Sequence, residues 1–245
     1  MLALVLSLAW PGAPRANDPG PDNVALATGF ARLAFGTPQQ AEPPSLWRHG
    51  PVRVAVLGDA GRGFKARLSL DLLLRRLAQV LPQGIEQGGG TDADVLLVFA
   101  PEPSRELLGP RSGLARAIFP DEAEREAEMG AIRGIACKAW FAHSTEQPAR
   151  MIRVLAAIRS GQHPDSQWAC MVDVVIRGLG FRENRIEADW SMFGSDGPWR
   201  EPTAEDWLML RLLHDPALAE EADHETAEVT ALRLLDAWRP ARTRR

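Results

Sequence analysis

The chain has 245 residues, 45% of them hydrophobic and 24% charged. These are ordinary globular proportions, and the length suffices for one large domain or two small ones with a core that needs no metal or disulfide staple. The formal net charge of -4 argues against a nucleic-acid binder, which normally presents a basic face.

In chain order, Met1 to Trp10 is apolar. It is too short to span a bilayer but fits the hydrophobic part of a secretory signal, without the usual basic start. The expectation is an export signal over 1–16, cleaved near Ala16; the alternative is a disordered apolar terminus. Either way 11–22 is rich in Pro, Gly, Asn and Asp, so 17–22 is linker. The body then runs over 23–238, without repeats, and the basic end 239–245 is a solvated tail. Asn23 to Phe35 carries a helical stripe of Leu26, Phe30 and Leu33, and a proline-containing link follows over 37–46. Pro51 opens a strand, Val52 to Leu57. Leu68 to Leu81 is a helix stopped by Pro82, and Gly84 to Gly90 is a loop or weak strand. Val95 to Phe99 is a continuous apolar run, the mark of a central strand buried on both faces. The acidic run Asp121 to Glu128 is a solvated helical face. Ile135 to Ser144 is a strand. Pro148 to Ile158 is long for an ordinary strand and reads as a strand with a turn. Gln167 to Gly178 is a helix ending at Gly178 or Gly180. Thr203 is an N-cap for a helix through Leu213, with Glu205 and Asp206 in the first turn, where the helix dipole favours them. His224 to Trp238 is the last helix. This order fits one α+β or α/β domain.

Chemistry-bearing motifs are sparse. Gly58-Asp-Ala-Gly61-Arg-Gly63-Phe64-Lys65 sits between a strand and a helix, as a phosphate loop does. Phe64 interrupts the glycine–lysine step, however, and Ala66 stands where a hydroxyl would hold magnesium, so a plain glycine turn is the better reading. No two of the five histidines, His49, His143, His163, His214 and His224, stand four apart, so no helical zinc pair exists. Surface or helix-capping roles are expected for each. No Gly-x-Ser-x-Gly elbow is present, and Cys170 lies in an apolar stripe that keeps a thiol inert. Cys137 and Cys170 make no zinc site; they are either a disulfide, as export favours, or two buried thiols. On the helix ending near Gly180, Asp173 and Arg177 are four apart and of opposite charge. They form either an ion pair on an exposed or cleft face or a pair that occupies a former metal position and replaces its cation. Trp190, Trp199 and Trp207 either pack the core or border a cleft.

Several residue sets resemble a bacterial cell-envelope family known only as a domain of unknown function, number 2927 in its series. They are Phe30-Ala31, Ala34-Phe35-Gly36, Trp47, Pro51 to Val54, Cys170, Leu179-Gly180-Phe181, Asn184 and Ser191-Met192-Phe193. The pattern continues through Thr203, Asp206, Leu210, Leu213 and Asp215-Pro216. The resemblance covers about 23–238. It departs where Asp173, Val174 and Arg177 replace the Glu, Glu and Gln usual there. The family's layout is in turn similar to a metzincin metalloprotease: a zinc helix, a glycine turn, a methionine turn at Met192 and a closing helix opened by Asp206. The metzincin pattern H-E-x-x-H-x-x-G-x-x-H, laid on Gly180, puts Asp173, Val174, Arg177 and Glu183 at the ligand and base positions, with no histidine among them.

The resemblance implies a zincin-like α+β single domain, a mixed sheet packed on helices, in the periplasm or secreted. It implies a remnant site of Asp173, Arg177, Gly180, Glu183 and Met192, with no catalytic residue, bound metal or cofactor. In that layout Cys137 lies on the strand that edges the cleft and Cys170 on the helix beneath, which favours the disulfide. The function expected is non-catalytic binding of a peptide, protein or envelope polymer in the remnant cleft. The partner is an unidentified envelope protein or peptide, with no nucleic acid and no membrane span in the mature chain. The alternative is a divergent, peptidase-like hydrolase using Asp173 or Glu183 with an unidentified metal site.

Overall fold

The computed structural model describes residues 20–40, 42–47, 50–58, 64–102, 119, 121–132, 134–144, 146–147, 150–183, 185–194, 201–219 and 223–239. Among them, α1 is Asn23–Phe35, β1 Val52–Gly58, α2 Phe64–Leu77, β2 Ile85–Gln87, β3 Val95–Ala100, α3 Glu122–Ala131, β4 Cys137–His143 and β5 Met151–Arg159. The helices α4 Pro164–Arg177, α5 Ala204–Leu213, α6 Pro216–Ala219 and α7 His224–Trp238 follow. The molecule is α+β, with a five-stranded mixed sheet in the order β2-β1-β3-β5-β4. All neighbouring pairs are parallel except β4 with β5.

The apolar run from Val95 to Ala100 is the central strand, and every residue of it is buried. Its side chains alternate between faces. Val95, Leu97 and Phe99 join the larger core with Leu70, Leu77, Met171, Val175, Leu210 and Leu213. Leu96 and Val98 join a smaller core on the other face, with Phe119, Ile132 and Trp140. Most helices therefore cover one face. α1 lies along α7, tied by Asn23 to Asp236 at 2.8 Å and by Thr28 to Glu228 at 2.6 Å.

Several sequence expectations meet this structure closely. α1 and α7 have the expected bounds, and Thr203 caps α5 in a full capping box with Asp206. The segment left between strand and loop contains the three-residue β2, held by parallel pairing with β1. The Pro148 to Ile158 region is a nine-residue strand, β5, with no helix. Its Val154 to Ile158 are all buried, because β5 lies between β3 and β4. The possible phosphate loop falls largely outside the described residues, which omit 59–63, as do His49 and Trp199. No described helix is long and apolar enough to cross a membrane.

Candidate functional site

α4 is set by its ends. His163 caps its N-terminus, its Nδ1 accepting from the Asp165 N–H at 3.3 Å, and Pro164 occupies the first turn. At the other end the Gly178 carbonyl accepts the Trp47 indole N–H at 2.8 Å. Gly180 then turns the chain at φ +133, where a Cβ would lie 2.7 Å from Leu46 Cδ2 and 3.2 Å from the Ser45 carbonyl. Only glycine fits there comfortably. The segment from Ser45 to Trp47 thus clamps the end of α4, a role the sequence alone did not assign.

Helical spacing puts Cys170, Asp173 and Arg177 on one side of α4, the side that meets β4. Cys170 is joined to Cys137 of β4 by a disulfide, with Cα atoms 6.0 Å apart. Arg177 meets Asp173 through Nε to both carboxylate oxygens at 3.1 Å and Nη2 to Oδ2 at 2.6 Å. The guanidinium also lies 5.2 Å from the Phe141 ring centre on β4. The Asp173 side chain is 33% exposed and that of Arg177 17%. The pair is thus neither deeply buried nor fully solvated.

Of the other expected site residues, Gly180 adjoins the pair, its N–H donating to the Arg177 carbonyl at 3.0 Å. Glu183 follows the Gly180 turn, and its N–H donates to the Leu33 carbonyl at 3.1 Å. Met192 belongs to the core, and its N–H donates to Asp206 Oδ2 at 3.0 Å. Of the five, Asp173 and Arg177 are joined through their side chains. Among the described residues, no three His, Cys, Asp or Glu side chains are grouped to hold a metal. Arg177 cannot coordinate one, and its fork fully engages Asp173. Asp173, Val174, Arg177 and Glu183 as a set therefore do not fit zinc.

The turn Ser191-Met192-Phe193 is organised by Asp206, which is fully buried. Its Oδ1 accepts from Ser191 Oγ at 2.5 Å, and its Oδ2 accepts from the Met192 N–H at 3.0 Å, the Thr203 N–H at 2.8 Å and Thr203 Oγ1 at 2.9 Å. Burial raises its pKa, and these hydrogen bonds pull the other way. The expected Thr203 cap is present, with Asp206 completing it; the bonds of Asp206 to Ser191 and Met192 carried no local signal.

The histidines need a partial correction. His163 caps a helix as expected. His224, however, is buried, with its Nδ1 3.9 Å from Glu228. His214 stands at the end of α5, but its Nε2 is buried without a hydrogen-bond partner, and burial lowers its pKa to about 4. Burial thus holds the ring neutral near pH 7. Trp207 is 9% exposed and Trp190 is half-buried. Each packs against the core and also lines a hollow, so the two readings of these tryptophans merge.

The β4 edge is the chemically open part of the site. Ala136 accepts from the Arg159 N–H, and Cys137, Ala139 and Phe141 face Ile158, Ala156 and Val154. Antiparallel pairs alternate between bonded and non-bonded, so the backbone groups of Cys137, Ala139 and Phe141 point away from β5. No other described strand pairs with that edge.

A family model described as "Protein of unknown function (DUF2927)" matches residues 23–228. No curated protein and no solved structure matches the chain.

Proposed function

The chain belongs to the DUF2927 family of unknown function, and on that premise we propose that it is an exported, zincin-like protein that binds an extended peptide without cleaving it. The peptide adds as a strand along the open edge of β4, over the Asp173–Arg177 pair. Sheet edges are ready templates for such pairing: main-chain bonds supply affinity, and pockets for alternate side chains supply selection.

The observation that carries this reading is the outward set of backbone groups at Cys137, Ala139 and Phe141 on a strand pinned by the Cys137–Cys170 disulfide. A rigid edge loses little entropy on binding. Support for the zincin-like layout comes from the order of parts: α4, the Gly180 turn, the Ser191-Met192-Phe193 turn held by Asp206, and α5. Non-catalytic binding follows from the chemistry of the pair. Arginine neither ligates a metal nor serves as a general base. Export is supported by the apolar Met1 to Trp10 and by the disulfide, which persists in oxidising compartments.

Ala139→Pro tests the reading. Proline is tolerated on an edge strand where the lost N–H faces outward, so β5 pairing and the disulfide stay intact. A pool of unstructured decapeptides passed over immobilised protein should be retained by the parent and released by the variant. Equal retention by both, with an unchanged melting temperature, would place peptide binding elsewhere.

A further inference from the structure

A cavity of about 980 Å³ opens between α1, the first turns of α7 and the segment 185–190. This is at the upper end of the roughly 300–1,000 Å³ typical of small-molecule sites. None of its lining residues belongs to β4 or α4, so it is separate from the β4 edge.

The fold holds these walls in place. Thr28 on α1 donates to Glu228 Oε1 on α7 at 2.6 Å. The 185–190 segment is anchored by the Glu183 N–H on the Leu33 carbonyl at 3.1 Å and by the Ile186 N–H on the Phe193 carbonyl at 2.9 Å. The Trp190 indole rests on α1 at Gly29, where a Cβ would come within 3.1 Å of Trp190 Cη2.

Charged groups of both signs line the cavity: Arg32, Arg185, Glu187 and Glu228. Arg32 is half-buried and has no hydrogen-bond or ion-pair partner among the described residues. Arg185 is exposed and makes one long bond, 3.5 Å, to the Gly194 carbonyl. The Glu228 side chain is 34% exposed. Its Oε2 lies 3.9 Å from His224 Nδ1, beyond hydrogen-bond reach, so this oxygen can accept a further bond. Arg32 stands four residues along α1 from Thr28, which marks the Glu228 carboxylate. Cβ atoms at that spacing are about 5–6 Å apart, so the cation and the anion are rooted about one turn from each other.

We propose that this cavity binds a dipeptide with free termini and apolar side chains. Its carboxylate takes the Arg32 fork, which matches carboxylate geometry. Its ammonium, which only donates, takes Glu228 Oε2. Its side chains rest against Trp190 and Ala188. Two extended residues span up to about 7 Å, the order of the distance between the two turns, whereas both charges of a single amino acid flank one carbon. A purely apolar ligand would strip water from Arg32 and give it no partner. A simple anion would face Glu187 and Glu228, and a simple cation would face Arg32 and Arg185.

The test is calorimetric titration of the full chain with leucyl-leucine and leucyl-phenylalanine, beside their N-acetyl and C-amide forms and free leucine. At least one dipeptide should bind with a Kd below about 1 mM, and acetylation, amidation, Arg32→Gln and Glu228→Gln should each weaken it about tenfold or more. Ala139→Pro, at the β4 edge, should leave this binding unchanged. The capped forms need no variant, so the test stays decisive should Arg32→Gln misfold. The proposal is overturned if neither dipeptide binds at ~10 mM, or if a capped form or free leucine binds as tightly as the dipeptide. Binding that is unchanged in a folded Arg32→Gln variant, or lost in Ala139→Pro, overturns it equally.

Discussion

Asp206 satisfies four donors from two distant turns, and no neighbouring group can take its place. Removing it in Asp206→Ala leaves buried N–H and O–H groups unpaired, at a cost of about 3–5 kcal/mol. Chemical denaturation should show this as a lowered midpoint with the slope preserved. Arg177→Ala acts on a half-buried pair, where the attraction is partly screened; we expect a loss of about 1 kcal/mol in the same measurement. His214 sets a pH dependence. Its folded pKa of about 4 lies below the ordinary 6.5, so the unfolded chain takes up the proton first. The stability it contributes is present above pH 6.5 and is lost as pH falls through 4, on the order of 3 kcal/mol. Asp206 runs the opposite way: its raised pKa favours the folded state below the unfolded value and less as pH rises. In melts taken from pH 7 to 4, His214→Leu should therefore flatten the acid-side loss. An unchanged acid profile would assign that loss to other groups, including His143, whose pKa burial also lowers.

At the scale of elements, the disulfide between β4 and α4 closes a sequence separation of 33. The chain-entropy account gives roughly 3–4 kcal/mol for such a loop. A Cys137→Ala/Cys170→Ala double variant should melt correspondingly lower, and β4 amides should exchange faster than those of β3. Thiol counting on the denatured, unreduced protein should find no free thiol. This scale was also the most legible in the sequence. α1, β3, α5 and α7 were readable because periodicity, unbroken apolar runs and the Thr203 cap are local signals. β2 was weak because three residues beside β1 depend on pairing rather than on their own pattern. β5 was ambiguous because a strand buried on both faces loses its alternation. In the site, the Asp173–Arg177 pair could be read from spacing, and the Cys137–Cys170 pairing from the resemblance. The Trp47 clamp, the bonds from Ser191 and Met192 to Asp206 and the burial of His214 could not, since each joins residues whose proximity only the fold creates.

For the whole molecule, a frame of helices covers one face of a mixed sheet and leaves the antiparallel strand β4 at its edge. The proposed function rests on that edge, so the most direct measurement is residue-resolved amide exchange of β4 with and without the tightest-binding peptide from the decapeptide pool. Lys138 and Trp140 point their N–H groups toward β5, by the alternation that sends those of Cys137, Ala139 and Phe141 outward. The account predicts that peptide slows exchange at Cys137, Ala139 and Phe141 and leaves Lys138 and Trp140 nearly unchanged. A peptide that binds while the three outward amides keep their free exchange rates would contradict it.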